Sequence, residues 1–269
     1  FGILKLSYGF RAENIIREEV RYQYLKEATE RLHLEIEDES EFLSGILAEI
    51  SLIKNERISL EHYFSKNCSE EIFRKIYEEY EERKKNARLL DFDDMLLYTW
   101  ELLSQRADIL SAWQKKYQYI LVDEFQDINP VQYDLLRVWN KNGQELFVIG
   151  DPDQSVYGFR GSDSQCFARL EKDYPMLRTI RLTDNYRSTP EIVACALDVI
   201  SHNKGPERNM RASNPAGASV RVVEASGEMG EAIFIAKEIN RLIGGIDMLD
   251  VEENHGGEVK RVRSFSDIA

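Results

Sequence analysis

Two short apolar runs in this sequence stop abruptly at carboxylates. Tyr119-Ile-Leu-Val122 leads into Asp123-Glu124-Phe-Gln-Asp127, and Val148-Ile149 leads into Gly150-Asp-Pro-Asp-Gln-Ser155. Short apolar runs of this kind read as buried strands of a parallel sheet, and ligands gather where such strands end. Asp123 at that place can hold magnesium through water, and Glu124 can activate a water for attack on a γ-phosphate. Asp-Glu after a hydrophobic run is weak evidence alone, because short patterns recur freely.

The second acidic end opens a loop, Gly150 to Gly161, that adds an amide, two aromatics and a guanidinium. Gln154 can orient a water or sense a γ-phosphate, and Arg160 can counter phosphate charge. Tyr157 and Phe159 can each offer a flat face to a base, worth ~1–3 kcal/mol per stacked base. Equally, the two aromatics can be core residues while the acids and Arg160 pair internally. A third cluster is Asp184-Asn-Tyr-Arg-Ser-Thr-Pro190. Arg187 follows a strand and precedes a helix, so it can point across a cleft, as arginines do that stabilise transition-state charge in nucleoside triphosphatases. Tyr186 beside it can stack on a purine. Taken by itself, the third cluster reads more simply as a helix cap with an Arg–Asp pair.

In this order and spacing the clusters resemble a UvrD/Rep/PcrA-type superfamily 1 DNA helicase. Val122-Asp-Glu-Phe-Gln-Asp127 is similar to that family's motif II, Gly150–Gly161 to its motif III and Asn185-Tyr-Arg-Ser-Thr189 to its motif IV. Leu90-Asp-Phe-Asp-Asp-Met95 is similar to the short acidic segment that precedes motif II. The likeness is clear from about residue 88 to residue 243 and looser in the first third. It implies ATP and Mg2+ as ligands, with Asp123 on the metal, Glu124 as general base, Gln154 as γ-phosphate and water sensor, and Arg187 as arginine finger. Tyr186 would stack on adenine, Arg160 would link the ATP site to the motif III loop, and Tyr157 and Phe159 would contact single-stranded DNA. The family often has Trp where this chain has Phe159, a smaller π-face. The activity implied is 3′→5′ translocation on single-stranded DNA with unwinding of partly duplex DNA.

The elements that must position these residues follow from the flanking pattern. Residues 1 to about 88 are rich in Glu, Lys and Arg and helical in period, with an expected helix over Glu13–Leu34 striped by Ile16, Val20 and Tyr24. A second helix begins at Ser69, buries Ile72, Phe73, Ile76, Tyr77 and Tyr80, and carries acids in its first turn. Asp91 caps a helix expected to bury Phe92, Met95, Leu96, Trp100 and Leu103. Strands are expected at Tyr119–Val122, Glu145–Ile149, Thr179–Leu182 and Val220–Val223. Asn129-Pro130 starts a helix running to about Trp139, and Lys141-Asn-Gly143 is a turn. Further helices are expected near Ser164–Leu170, from Thr189-Pro190, and over Glu231–Ile243, followed by a polar connection from Gly244 to Lys260.

The element pattern gives an expected α/β fold class with an N-terminal all-helical subdomain, and the resemblance implies that the parallel sheet is part of a RecA-like one of the P-loop nucleoside triphosphatase type. The resemblance divides the chain into a helical insertion at 1–88, the second half of a first motor domain at 89–183, and the beginning of a second at 184–269. The phosphate-gripping Gly-Lys-Ser/Thr of a P-loop is missing, since the sequence contains no Gly-Lys dipeptide. The chain is expected to be a segment of a longer protein and, alone, a poor ATPase without tight ATP binding.

Composition limits the alternatives. The 269 residues carry a net charge of −13, from 48 acids against 35 bases, which argues against wholesale electrostatic wrapping of nucleic acid. A local groove that holds single strands by stacking stays open. No apolar stretch approaches the roughly 20 residues that span a bilayer, so no membrane partner is expected. Three cysteines and four histidines are scattered without a CxxC pair, which makes a reducing cytoplasm the expected location. Other readings are a non-catalytic DNA-binding module with a degenerate motor, the motor part of a helicase-nuclease, and a metal-dependent nuclease using Asp123, Glu124, Asp151 and Asp153.

Overall fold

A computed structural model describes residues 1–140, 145–155, 165–203, 208–244 and 263–268. The chain forms two compact units, Phe1–Thr179 and Ile180–Ala269. It is mixed and rich in helix, with two small parallel sheets among the described residues.

The first unit begins with a short helix, α1 (Gly2–Tyr8), followed by three long ones: α2 (Glu18–Arg31), α3 (Glu39–Glu56) and α4 (Glu70–Asn86). Their apolar stripes meet in a core of Leu25, Ala28, Ile46, Ile50, Phe73, Ile76 and Tyr80. Asp38 caps α3 by accepting from the Glu41 N–H (2.9 Å), and Ser69 caps α4 by accepting from that of Ile72 (3.4 Å). Helix α2 starts later than the expected Glu13. Ile15 is extended there and bridged to Leu90, and the Ile16 N–H donates to the Leu90 carbonyl at 2.9 Å. The buried face of α2 is thus Leu25, Ala28 and Thr29.

Helix α5 (Phe92–Gln105) also departs from expectation. Phe92 is 70% exposed, and the buried residue of its first turn is Asp94. The cause lies in two lysines from the helices packed against it. Lys54 Nζ of α3 donates to Asp91 (2.9 Å) and Asp94 (2.7 Å), while Lys84 Nζ of α4 donates to the same two carboxylates at 2.6 Å each. Glu81 Oε1 lies 2.7 Å from Lys54 Nζ and 2.9 Å from Lys84 Nζ. Buried charge is tolerated only when paired and hydrogen-bonded, and two ammonium groups facing α5 force its acidic face inward.

After α6 (Ala107–Lys116), β1 (Ile120–Val122) and β2 (Leu146–Val148) pair in parallel, Ile120 opposite Leu146 and Val122 opposite Val148. Between them runs α7 (Pro130–Trp139), and α8 (Cys166–Asp173) follows. Alternation sends Ile120, Val122, Leu146 and Val148 onto a core of Phe125, Tyr133, Leu136, Cys166 and Leu170. Tyr119, Leu121, Phe147 and Ile149 face outward, exposed. The turn expected at Lys141-Asn-Gly143 lies outside the described residues.

In the second unit β3 (Asp184–Asn185) pairs in parallel with β4 (Arg211–Ala212), and among the described residues its α-helices are α9 (Pro190–Ser201) and α10 (Glu228–Leu242). Two expected strands are not formed. Thr179–Leu182 and Val220–Val223 are irregular, with Leu182 86% and Val222 95% exposed. A strand needs a partner ladder to satisfy its backbone, and the ladder here starts only at Thr183, whose carbonyl accepts from the Arg211 N–H at 2.8 Å. Of the apolar face expected for α9, Val193 is buried and Ile192 exposed. Of the Gly244–Lys260 connection, only Gly244 is among the described residues. No helix among them is long and apolar enough to cross a membrane.

Candidate functional site

Because β1 and β2 are parallel and in register, both chains leave the sheet at the same carboxyl edge. The acidic segments at 123–127 and 151–154 therefore emerge side by side. The Ile149 N–H donates to the Val122 carbonyl (2.8 Å) and the Phe125 N–H to that of Ile149 (2.9 Å), extending the ladder past both strand ends.

Glu124 is a non-glycine residue in the left-handed region (φ 49°, ψ 46°), a conformation costing on the order of 1–3 kcal/mol. What holds it there is the next residue. Phe125 is fully buried, with its ring edge-on to Phe167 at 5.2 Å and to Tyr133 at 6.3 Å. A 3-10 turn, Phe125–Asp127, then leads to Asn129, which caps α7. The sharp reversal leaves Asp123 and Glu124 exposed at the sheet edge while burying their neighbours.

Gln126 ties the two acidic segments together. Its buried amide donates from Nε2 to Glu124 Oε2 (2.7 Å) and accepts at Oε1 from the Asp151 N–H (3.0 Å). Asp151 in turn accepts at Oδ2 from Gln154 Nε2 (2.8 Å) and at Oδ1 from the Asp153 N–H (3.0 Å). Ser155 Oγ donates to the Gln126 carbonyl at 3.3 Å. Glu124 and Gln154, two of the residues singled out from sequence, thus stand at the ends of one hydrogen-bonded chain. Of its two inner members, Gln126 was not singled out. The available signal was an uncharged polar residue inside an acidic motif, two residues from Glu124, but its second partner, Asp151, lies 25 residues away.

Gly150 is required by close approach. A Cβ there would lie 2.6 Å from Gln126 Oε1, 2.9 Å from the Phe125 backbone nitrogen and 3.0 Å from the Phe167 ring.

Asp123 suits a hard cation. Its Oδ1 accepts from the Glu124 N–H (3.0 Å), which fixes the carboxylate, and among the described residues Oδ2 has no hydrogen bond. One carboxylate oxygen, completed by water and phosphate, is a donor set magnesium favours. No three of Asp123, Glu124, Asp151 and Asp153 bring ligand oxygens within 4.8 Å of one another, whereas two-metal nuclease chemistry uses converging carboxylates. Among the described residues the convergent carboxylates are Glu81, Asp91 and Asp94, with oxygens within 4.8 Å of one another. Lys54 and Lys84 already supply the positive charge there.

In the second unit, Asn185 Oδ1 accepts from the N–H groups of Arg187 (3.0 Å) and Ser188 (2.7 Å), a local turn that delivers the chain to the Thr189-Pro190 start of α9. Asn214 Nδ2 donates to the Tyr186 carbonyl at 3.1 Å. The Tyr186 ring is exposed, and among the described residues the Arg187 guanidinium makes no ion pair. Asp184 pairs instead with Arg211, at 2.7 Å. Tyr157, Phe159 and Arg160 lie outside the described residues.

Comparison with known proteins matches the sequence pattern of the UvrD/REP helicase N-terminal domain to residues 8–175 and that of the UvrD-like helicase C-terminal domain to residues 180–255. A putative ATP-dependent DNA helicase, YjcD of Bacillus subtilis, is 41% identical over 200 residues, covering 74% of this chain and 26% of its own. The ATP-dependent DNA helicase PcrA of the same organism is 37% identical over 202 residues, covering 74% of this chain and 27% of its own. A probable DNA helicase II homolog of Rickettsia felis is 38% identical over 169 residues, covering 62% and 26%. The chain spans about a quarter of the length of these relatives.

Proposed function

The chain belongs to the UvrD/REP helicase family, and from that premise we propose that it is part of an ATP-driven motor that moves 3′→5′ on single-stranded DNA and unwinds duplex. On this reading residues 1–88 are a helical insertion, 89–183 the second half of a first RecA-like domain, and 184–269 the beginning of a second. The phosphate loop belongs to the remainder of the full-length protein.

The observation that carries the reading is the chain from Glu124 through Gln126 and Asp151 to Gln154 at one sheet edge. ATP hydrolysis needs a carboxylate to take the proton of the attacking water and a polar group that registers the γ-phosphate. Glu124 and Gln154 have those chemistries, and Gln126 couples the one to the other. Asp123 would hold Mg2+, which when bound offsets phosphate charge. Arg187, with its guanidinium unpaired among the described residues, would stabilise transition-state charge, and exposed Tyr186 would stack on adenine. Tyr157 and Phe159 would contact the DNA bases, with Arg160 linking them to the nucleotide.

The test is Glu124→Gln in the full-length protein. The amide keeps the size of the side chain and its contact with Gln126 but cannot accept a proton. Steady-state ATPase should fall by at least about 10²-fold with ATP affinity retained. Turnover near that of the unsubstituted protein would refute the assignment.

A further inference from the structure

The acidic loop is braced on its far side as well, by a helix that carries none of the residues assigned above. Asn129, the cap of α7, stands two residues beyond the 3-10 turn and is 9% exposed. Its Oδ1 accepts from the Gln132 N–H (2.8 Å), which is ordinary capping. Its Nδ2 does something capping does not require: it donates to Asn55 Oδ1 of α3, a buried bond of 2.8 Å. Asn55, 4% exposed, is fixed in turn, its Nδ2 donating to Asp93 Oδ1 of α5 (2.9 Å) and to the Ser51 carbonyl (2.9 Å). The neighbouring residue on α3, Lys54, enters the carboxylate cluster under α5. Two residues beyond Asn55, Arg57 pairs with Asp134 of α7 and stacks over Trp100 of α5, 4.4 Å from the ring centroid. The last turn of α3 therefore engages α5 and the N-terminal half of α7 together.

The segment Asp123–Ile128 joins β1 to α7. Its first end is fixed by the sheet ladder, and its second by the Asn129–Asn55 bond. A short turn fixed at both ends has little freedom to move the carboxylate it carries, and small misplacement of a catalytic group is costly. We propose that Asn55 is a positioning residue: through Asn129 it sets where Glu124 stands, so that any displacement of α3 is felt at the acidic edge. This rests on the reading of Glu124 as the base.

The geometry supplies a directional test, because an amide can reverse the bond. Asn129→Asp keeps the cap, since Asp caps as well as Asn, but sets a carboxylate against Asn55 Oδ1. Adding Asp93→Asn lets the Asn55 amide turn over, accepting from the new amide at position 93 and donating to the new carboxylate at position 129. The reversed oxygen loses the bond to the Ser51 carbonyl, but the Ser51 hydroxyl, 3.1 Å from Asn55 Nδ2, can donate to it instead. In the full-length protein, Asn129→Asp should lower kcat for ATP hydrolysis on the order of tenfold, with KM for ATP within about twofold. Asp93→Asn alone should stay within about twofold of the unsubstituted protein, and the double variant should regain most of the loss. Hydrogen exchange at the Phe125 and Asp127 amides should quicken in Asn129→Asp and slow again in the double variant. An unchanged kcat, or a fall that Asp93→Asn does not restore, overturns the proposal. If the unsubstituted protein hydrolyses no ATP, the reading of Glu124 fails instead. The exchange measurement then still decides the brace, which unchanged rates would refute.

Discussion

In residues 1–179, Lys54 and Asp91 meet at 2.9 Å with side chains 3% and 2% exposed; in residues 180–269, Arg211 and Asp184 meet at 2.7 Å with side chains 82% and 38% exposed. The contacts are alike and their surroundings are not. Water screens the second pair, which leaves it worth little. The first pair has given up hydration and depends on every partner it retains. The same difference separates the candidate site residues. Glu124 is supported by a buried amide, a buried phenyl ring and a sheet ladder, whereas Tyr186 and Arg187 rest on a turn closed by Asn185. One region is specified by its interior, the other by local chain geometry.

The sharpest way to break that contrast is Lys54→Met, which leaves Asp91 and Asp94 short of buried countercharge. It should cost about 3–5 kcal/mol. All three tryptophans, Trp100, Trp113 and Trp139, lie in residues 1–179, so fluorescence-monitored urea unfolding of the chain reads that unit alone. A loss below about 1 kcal/mol would show that the cluster is solvated.

The pH dependence has a defined sign at each end. Burial pushes the Asp91 carboxyl up, but Lys54 and Lys84 outweigh it and hold it below its ordinary value. Its contribution is present above an unfolded pKa of about 4 and is lost as pH falls through the lower folded value. Burial lowers Lys54, yet Asp91, Asp94 and Glu81 raise it well above its ordinary 10.5. Its contribution is complete below an unfolded pKa of about 10.4 and is lost as pH rises through the folded one. The cluster's share of the urea midpoint should therefore be level between about pH 5 and pH 9, and a slope across that window would contradict these shifts.

Gly150→Ala should come next, at about 1–3 kcal/mol. Its Cβ meets the Phe125 backbone nitrogen at 2.9 Å, an atom that cannot swing aside. Arg211→Ala should be the smallest, below about 1 kcal/mol by thermal unfolding followed with circular dichroism. A larger effect would mean that the exposed pair organises the second unit after all.

Much of the acidic edge was legible because parallel strands announce themselves as apolar runs that end at polar residues. The Asn129-Pro130 cap and the Ser69 and Asp91 caps were legible because their partners lie three residues away. The inward turn of Asp94 was not, since helical period says which residues share a face but not what the facing helix brings. Lys54, Asn55 and Gln126 were not, as the bonds that give them their roles, to Asp91 and Asp94, to Asp93 and Asn129, and to Asp151, reach into other segments. The strands expected at Thr179–Leu182 and Val220–Val223 failed for a related reason. An apolar run becomes a strand only where a neighbour completes its ladder.

The paired lysines under α5 carry a practical consequence. Amine acylation needs a neutral nitrogen that the reagent can reach. Lys54 is held in its charged form by three carboxylates, and both ammonium groups are closed off from solvent. In the folded protein a water-soluble active ester should spare Lys54 and Lys84 while tagging exposed lysines such as Lys26 and Lys75. Mass spectrometry of the tagged peptides would then report whether any preparation, variant or storage condition still has its helices docked, without requiring an enzymatic assay.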